Sequence, residues 1–270
     1  MTIPAHFDEH SLKATFAFRH GELDKAGWAV RLCSRFGYFT PDVCYEATVD
    51  RLLLDGASWL EIGGGKAIFP SNPRLSAALA SRCSLLVGVD PSKNIFDNPF
   101  VHQKVQGLLE EFQSHTAFDL ATARMVVEHV AQPKKFAAAL SRLLRPGGTA
   151  VILTVDRWAP VTILSHATPF WFHVFLKRLL WSTDDEDTFP TVYKMNTRRD
   201  LARLFAPAGL EEVAFYCLDD CRTLARWKFT YALELITRKF LRRIGLGYPE
   251  QCLLGVYRKS PMPPPTSETA

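Results

Sequence analysis

The stretch SWLEIGGGKAIFP, residues 58–70, places three consecutive glycines directly after a short apolar run. Glycine adopts backbone conformations that other residues avoid, and it lets a ligand approach the main chain closely. A strand followed by a glycine-rich turn and a helix is a nucleotide-binding arrangement, in which helix N–H groups point toward the ligand. The stretch therefore predicts a strand that ends in a ligand-binding loop, with a tight strand–helix turn as the alternative.

The spacing within this loop disagrees with two common nucleotide-binding motifs. A dinucleotide fingerprint, GxGxxG counted from Gly63, needs a glycine where Ile68 stands. A P-loop needs serine or threonine directly after its lysine, but Ala67 follows Lys66. What remains is the pattern ExGxGxA, which begins at Glu61.

A second acidic residue follows the next predicted strand. The segment VGVDPS, residues 87–92, ends that strand at Asp90. Because parallel strands end at one edge of a sheet, Asp90 and Glu61 are expected at the same rim, where an acid can accept both hydroxyls of a ribose. Two carboxylates there suit a ligand with a ribose and a cationic group better than a pyrophosphate. The alternative for Asp90 is a turn-forming residue before Pro91.

The composition is that of an ordinary globular protein. The chain has 270 residues, 47% hydrophobic and 22% charged, with a net charge of +4. Its basic residues are scattered, which does not indicate a nucleic-acid partner. Its six cysteines form no CxxC pair. No apolar stretch approaches the ~20 residues of a membrane helix, and no signal peptide is evident, so a reduced, cytoplasmic protein is expected.

Strands and helices alternate along most of the chain. Near-continuous apolar strands separated by helices predict a parallel sheet that is covered on both faces. Residues 1–56 are expected to form an N-terminal helical arm, of which 1–20 would be loose, and residues 261–270 a disordered tail. The predicted strands are 58–62, 85–90, 101–107, 118–126, 149–155, 211–218 and 251–259.

Four segments occur together in the order of a known family. WLEIGGGKA (59–67), VGVDPS (87–92), FDLATARMVVEHV (118–130) and LSRLLRPGG (140–148) resemble successive motifs of the class I S-adenosylmethionine-dependent methyltransferases. In particular, EHV..P..F...L..LLRPGG (128–148) is similar to small-molecule methyltransferases of quinone biosynthesis and natural-product formation. The resemblance implies an α/β, Rossmann-like fold over residues 57–260. It would have a seven-stranded, mostly parallel sheet with helices on both faces, N-terminal helices, and a lid inserted after strand five at about 157–196.

The resemblance also implies S-adenosylmethionine as cofactor and assigns roles to individual residues. Gly63 and Gly65 would approach its methionine and ribose portions, Asp90 would hold the ribose hydroxyls, and Glu61 would help to orient the loop. The complete set of expected cofactor-binding residues is Glu61, Gly63, Gly64, Gly65, Asp90, Pro91, Ser92, Leu109, Glu110 and Arg124.

The chain departs from the family pattern at two points. Many relatives have an aspartate directly after a glycine like Gly107, but this chain has Leu108, so Glu110 or a backbone carbonyl would bind the adenine amino group. Ala67 replaces the usual third glycine, and the insertion IFPSNP after it is expected to reshape the exit of the loop.

Glu128 and His129 are the candidate catalytic residues. They follow the fourth strand, where the resemblance places them over the transferring methyl group, with His129 as general base or substrate positioner. The alternative is a helix-entry pair with a structural role. Arg124, on the same strand, would face the cofactor carboxylate or form a structural ion pair.

The aromatic segment PFWFHVFLKRLLW, residues 169–181, follows the fifth strand, where the crevice at the carboxyl edge of the sheet opens. It is expected to form either a lid over an apolar substrate or a core helix. His166 and His173 are seven residues apart, so they could share one face of a helix. No other residue completes a metal site with them, and no metal is expected. The candidate substrate-binding residues are Trp158, His166, Phe170, Trp171 and Tyr193.

The sequence thus predicts methyl transfer to a small, moderately apolar acceptor. O-methylation is favoured, and S-, N- and C-methylation stay open. Two alternatives remain: an inert binding protein with the same fold, and a nucleotide-dependent oxidoreductase, against which the loop spacing counts. Nucleic-acid methylation lacks support because ARMVVEH stands where an NPPY-like motif would be expected. The oligomeric state is not indicated.

Overall fold

The computed structural model describes residues 8–167 and 190–261. A seven-stranded sheet lies at its centre, in the order β3-β2-β1-β4-β5-β7-β6. Neighbouring strands are parallel from β3 to β5, and β7 is antiparallel to both β5 and β6. The strands are β1 Ser58–Ile62, β2 Leu85–Asp90, β3 Gln103–Gln106, β4 Phe118–Arg124, β5 Leu144–Val155, β6 Leu210–Asp219 and β7 Gln251–Lys259.

Helices cover both faces of this sheet. The α-helices of the described ranges are α1 Glu9–His20, α2 Trp28–Phe36, α3 Pro41–Leu52, α4 Pro73–Arg82, α5 Pro133–Leu143, α6 Pro160–Ala167, α7 Arg198–Phe205 and α8 Lys228–Arg243. Short 3-10 helices follow β2 at Lys93–Asp97 and β4 at Val127–His129. The predicted Rossmann-like fold class is confirmed by this arrangement.

The central strands alternate their side chains between two hydrophobic cores. Trp59 of β1 lies in the core that α3 and α4 close, together with Tyr45 and Leu79. Leu60, one residue on, lies in the opposite core, which α5 and α7 close with residues such as Phe136. This alternation explains why Trp59, Leu60 and Ile62 of β1 are all apolar: both faces of the strand are buried.

Residues 8–20 do not form the loose arm that the sequence suggested. Asp8 caps α1 by accepting hydrogen bonds from the backbone N–H groups of His10 and Ser11 at 3.0 and 3.3 Å. Leu12 and Phe16, one helical turn apart, are buried against the rest of the protein. The apolar residues of α1 lie on more than one side of the helix, since Phe18 is exposed, so the periodicity was too weak for the sequence to predict this contact.

The sheet topology brings six strand ends to one edge. The parallel strands β1 to β5 end there, and so does β6, because its Asp219 pairs with Gln251 while Val155 of β5 pairs with Cys252. The connection from β6 to β7, residues 220–250, therefore leaves from the edge at which ligands bind in open α/β sheets.

No helix in residues 8–167 and 190–261 has both the length and the apolar character that crossing a bilayer requires.

Candidate functional site

The glycine loop after β1 needs glycine for its shape. Gly63 has φ of 70° and donates a hydrogen bond from its N–H to the carbonyl of Val89 at 2.8 Å. A Cβ atom there would lie 2.3 Å from Cγ2 of Val126. Gly65 also has positive φ, 42°, but an added Cβ would meet no described atom within 4 Å. The loop is thus closely packed beneath Gly63 and open beside Gly65.

Asp90 fixes this loop to the end of β2. Its carboxylate accepts hydrogen bonds from the N–H of Gly65 at 2.9 Å and from the N–H of Ser92 at 2.7 Å. Since a carboxylate offers about four acceptor positions, both oxygens keep capacity for further donors such as ribose hydroxyls. Asp90 is buried, and its position at the rim agrees with the order of motifs in the sequence.

Asn98 also holds this loop, and it was not among the predicted site residues. The side-chain amide nitrogen donates to the carbonyls of Gly64 and Gly65, both at 3.2 Å, and the residue is fully buried. Asparagine before proline is an ordinary turn signal, so the sequence could not distinguish Asn98 from a residue in a surface turn. In the fold it orients the loop carbonyls.

Glu61 lies buried at the end of β1. Its carboxyl accepts a hydrogen bond from the hydroxyl of Thr122, which in turn accepts one from the indole N–H of Trp59 at 2.5 Å. Burial raises the pKa of Glu61 to about 8, while the Thr122 hydrogen bond and the charge of Arg124 oppose the shift. The charge of Asp90 raises the pKa further. A cation bound beside this carboxyl would favour its ionised form.

The raised pKa of Glu61 predicts a pH-dependent stability. The folded protein binds this proton more tightly than an unfolded chain, in which the pKa is near 4.5. The stabilising contribution is therefore complete below that value and is lost as the pH rises toward about 8. Between these values, the free energy of unfolding of the ligand-free wild type should fall relative to that of Glu61→Gln, by up to about 1.4 kcal/mol per pH unit.

Urea unfolding at a series of pH values measures this difference. Glu111→Gln, which changes an exposed carboxyl, should follow the wild-type profile. Parallel profiles for wild type and Glu61→Gln would show that Glu61 does not titrate in this way.

The insertion IFPSNP, which follows the glycine loop, packs into the hydrophobic core. Ile68 and Phe69 are buried, and the Phe69 ring contacts those of Trp59 and Tyr45 at centroid distances of 6.3 and 6.0 Å. Asn72 then caps α4 through the N–H of Leu75 at 3.2 Å. The segment IFPSNP thus fixes the exit of the loop.

The predicted adenine-side residues lie around the ends of β2 and β3. Pro91 is exposed and its carbonyl accepts from Gln106, while Ser92 caps the next 3-10 helix through the N–H of Asn94 at 3.2 Å. Leu109 is buried in the core and Glu110 is half-buried. Their contact with adenine stays a prediction.

Arg124 is engaged in a half-buried ion-pair network. Its guanidinium lies 3.3 Å from Asp42 at the start of α3, and Asp42 also pairs with Arg222. Burial alone raises the pKa of Asp42, but the charges of Arg222 and Arg124 outweigh it and hold the pKa below its usual value. This pairing favours the structural alternative for Arg124, and its contact with the cofactor carboxylate stays a prediction.

Glu128 follows β4 on a tightly turned segment. Met125 there has φ of 54°, an uncommon value for a side chain of its size. The Glu128 carboxyl is buried and accepts a hydrogen bond from the hydroxyl of Thr154 on β5 at 2.9 Å. Burial raises its pKa. Asn196 donates to the same hydroxyl at 2.7 Å, so three polar side chains join the ends of β4 and β5.

The backbone of Glu128 also holds the segment that returns toward α7. Its carbonyl accepts from the N–H groups of Val192 and Tyr193 at 2.8 and 3.1 Å. Tyr193 is buried and has φ of 48°, so the contacts around it maintain an unfavourable backbone conformation. Tyr193 was predicted from the sequence as a substrate-binding residue. Thr154 and Asn196 were not predicted, because they are polar residues in segments without a recognisable motif.

His129 is oriented by a main-chain carbonyl. Its Nδ1 lies 3.2 Å from the carbonyl oxygen of Pro190. A carbonyl oxygen only accepts hydrogen bonds, so Nδ1 carries the hydrogen in this contact. In the neutral ring, Nε2 is then the basic nitrogen.

The remaining substrate-binding predictions are only partly described. Trp158 follows β5, is 67% exposed, and stacks beneath the Arg157 guanidinium at 5.8 Å. Phe170, Trp171 and the side chain of His166 lie outside the described residues, as does most of the predicted lid. Within residues 8–167 and 190–261, no group of three or more metal-ligating side chains is arranged to hold a metal ion.

The residues present at this edge fit S-adenosylmethionine. Gly65 leaves space beside the loop, Asp90 offers acceptors for a ribose, and Glu61 is a buried carboxyl that a cation would ionise. Nothing in the loop provides the third glycine of a dinucleotide site.

Curated relatives carry the same motifs. The chain is 29% identical over 135 residues to a ubiquinone biosynthesis O-methyltransferase of Rhizobium etli, an alignment that covers 46% of the chain and 52% of the relative. It is 26% identical over 185 residues to the mitochondrial ubiquinone biosynthesis O-methyltransferase of Schizosaccharomyces pombe, covering 62% of the chain and 68% of the relative. The first alignment thus spans about half the length of that relative.

Solved structures share the fold. The cyclopropane synthase MmaA2 of Mycobacterium tuberculosis superposes with a TM-score of 0.50 and 17% identity, over 90% of this chain and 98% of that one. The sequence model of a family described as a methyltransferase domain matches residues 40–214, more than half of the chain. This match favours methyl transfer over the oxidoreductase alternative. The chain belongs to the methyltransferase domain family and is a class I S-adenosylmethionine-dependent methyltransferase.

Proposed function

We propose that this protein methylates a hydroxyl group of a small, moderately apolar acceptor. The observation that carries the proposal is the position of His129 directly after β4, at the edge where ligands bind, with its Nδ1 3.2 Å from the carbonyl oxygen of Pro190. With Nδ1 as the donor of that contact, Nε2 would be the atom that accepts the hydroxyl proton. Two relatives named as O-methyltransferases support the choice of a hydroxyl. A thiol or an activated carbon acceptor would need less help from such a base.

The glycine loop and the ends of β1 and β2 would hold the cofactor. When bound, S-adenosylmethionine supplies a methyl group on a positively charged sulfur. Asp90 would accept hydrogen bonds from the ribose, and the open side of Gly65 would admit the ligand against the main chain. Asn98 would keep the loop carbonyls in place.

His129 would act on the acceptor. Its Nε2 would take the hydroxyl proton while the acceptor oxygen bonds to the methyl carbon and the sulfur keeps the electron pair of the broken bond. Placing the oxygen in line with the methyl group and excluding water would supply most of the acceleration. Exposed Trp158 and the aromatic segment with Phe170 and Trp171 would contribute an apolar wall.

Glu128 is best assigned as a positioning residue. Its carboxyl is turned into the protein and bonded to Thr154, and its carbonyl holds Val192 and Tyr193. It would therefore set the position of His129 and of the returning segment without touching the acceptor.

Replacing His129 with glutamine should separate catalysis from cofactor binding. Loss of a general base typically lowers kcat by about 100-fold or more. The affinity for S-adenosylhomocysteine should stay within about threefold of wild type, because the ring is not part of the glycine loop. Formation of S-adenosylhomocysteine at saturating acceptor measures the rate, and calorimetry measures the affinity.

The control is His115→Gln, which changes an exposed histidine before β4 and should retain full activity. Equal kcat values for wild type and His129→Gln would show that His129 does not act as the general base.

A matched panel of acceptors tests the proposed chemistry. Phenols or catechols with an apolar substituent should be methylated, and the unsubstituted compounds should react with higher KM. The corresponding thiols and anilines serve as comparison. Preferential methylation of the thiol or the amine would contradict the proposed O-methylation while leaving methyl transfer intact.

A further inference from the structure

Helix α8 has two apolar faces, and only one of them is covered. Tyr231 and Leu235 pack into the small core that α8 shares with α2. The opposite face carries an exposed stripe at spacings of four, three and four residues, which at about 100° per residue forms a single line along the helix. The members of this stripe and their exposed fractions are Phe229 79%, Leu233 51%, Ile236 51% and Phe240 59%.

Further exposed apolar side chains extend the stripe at both ends. Trp227, directly before the helix, is 51% exposed, and Ile244 and Leu246, directly after it, are 53% and 54% exposed. Isolated surface hydrophobes are common, but four on one line of a helix, with three more exposed apolar residues beside its two ends, mark an interaction surface. We call these seven residues the α8 stripe.

Basic side chains border the α8 stripe on one side. Lys228, Lys239 and Arg243 are exposed and, by helical spacing, lie along the same flank. Glu234 is the only acidic residue of α8; it is buried and accepts hydrogen bonds from the N–H of Leu224 and the hydroxyl of Tyr248 at 3.0 and 2.9 Å. The exposed side of the helix is therefore apolar and positively charged.

The covered face holds the helix in a fixed orientation. Arg238 and Arg242 pair with the buried carboxylate of Asp219 at 2.8 and 2.5 Å. The hydroxyl of Tyr231 lies 3.0 Å from the sulfur of Cys33 on α2. These contacts orient α8 so that, within residues 8–167 and 190–261, the α8 stripe is exposed.

We propose that the α8 stripe docks this protein on an anionic membrane surface. An apolar face with tryptophan and phenylalanine, bordered by lysine and arginine, is the pattern of helices that lie in the headgroup region of a bilayer. A second copy of the chain is less suited as occupant, because antiparallel pairing of two such faces would bring their basic flanks together.

Helix α8 belongs to a connection that begins at the ligand-binding edge of the sheet. The connection 220–250 leaves from the sheet edge at which β4 and β5 also end, and Glu128 and His129 follow β4 at that edge. Docking would bring that edge close to the bilayer, so an apolar acceptor could enter from the membrane. This consequence rests on the proposed function, whereas the docking itself does not.

Vesicle flotation tests the docking with the full chain. The probes are vesicles of phosphatidylcholine alone and vesicles in which about a third of the lipid is phosphatidylglycerol. We expect the wild type to float with the anionic vesicles and to be released by high salt. Phe229→Ser/Phe240→Ser should lower partitioning by about tenfold or more, since two exposed aromatic rings no longer enter the bilayer. Lys228→Glu/Lys239→Glu should lower it selectively for anionic vesicles.

Two controls keep the outcome unambiguous. Leu54→Ser removes a side chain that is 63% exposed before β1, at the opposite edge of the sheet, and should float like the wild type. Calorimetry with S-adenosylhomocysteine should give the same affinity for every variant, so that failure of docking and failure of the proposed function are distinguished. Absence of flotation by the wild type would overturn the proposal. So would a wild-type dimer that Phe229→Ser/Phe240→Ser converts to monomer without any change in flotation.

Discussion

Replacing Asp90 with alanine should weaken the binding of S-adenosylhomocysteine by about 100-fold or more. The variant loses the acceptors proposed for the ribose, and it also releases the N–H groups of Gly65 and Ser92 from the carboxylate that fixes them. Hydrogen bonds to a charged group contribute about 1.5–3 kcal/mol each, so removing several of them from one ligand site has a large effect. Titration calorimetry on purified protein gives the two affinities.

Asp97→Ala is the matched control. Asp97 is an exposed carboxylate on the 3-10 helix that follows β2, and its removal should change the affinity by less than about twofold. Equal losses for the two variants would contradict the role of Asp90, as would an Asp90→Ala protein that binds like the wild type.

Replacing Gly63 with alanine should both destabilise the protein and abolish cofactor binding. The residue has φ of 70°, and its new Cβ would lie 2.3 Å from Cγ2 of Val126. Val126 is β-branched and turns away only at a cost. The left-handed conformation and the overlap together should lower the free energy of unfolding by about 2–4 kcal/mol.

Two further variants separate the cost of the left-handed backbone conformation from the cost of the steric overlap with Val126. Gly56→Ala has a similar φ of 76° but no described atom within 4 Å of the added Cβ, so it should lose only about 1–2 kcal/mol. Gly63→Ala/Val126→Ala removes the overlapping methyl group and should recover stability to the level of Gly56→Ala. A Gly63→Ala protein as stable as Gly56→Ala would show that the loop relaxes freely.

The fold was predictable because the central strands carry the strongest signals. β1 and β7 begin and end at the predicted residues, and β2 does as well, since each is an apolar run between turn residues. The edge strand β3 was predicted too long, because its residues are mostly exposed and polar. Helix α1 was missed because its buried residues, Leu12, Thr15 and Phe16, give no clear apolar periodicity.

Site residues were predictable where a sequence motif requires both a particular side chain and a particular backbone conformation. Gly63, Gly65 and Asp90 are such positions, and the structure brings them together around one loop. Asn98, Thr154 and Asn196 were not predicted, because their partners are backbone carbonyls or side chains far away in the sequence. Polar residues of this kind give no periodic signal, and their roles follow only from the fold.

A crystal structure of the full chain with S-adenosylhomocysteine tests the central assignment most directly. It should show the ribose hydroxyls within hydrogen-bonding distance of the Asp90 carboxylate, the ligand against the open side of Gly65, and its sulfur facing the segment that carries His129. A ligand bound away from the glycine loop, or a ribose held by other side chains with Asp90 bonded only to Gly65 and Ser92, would contradict the account.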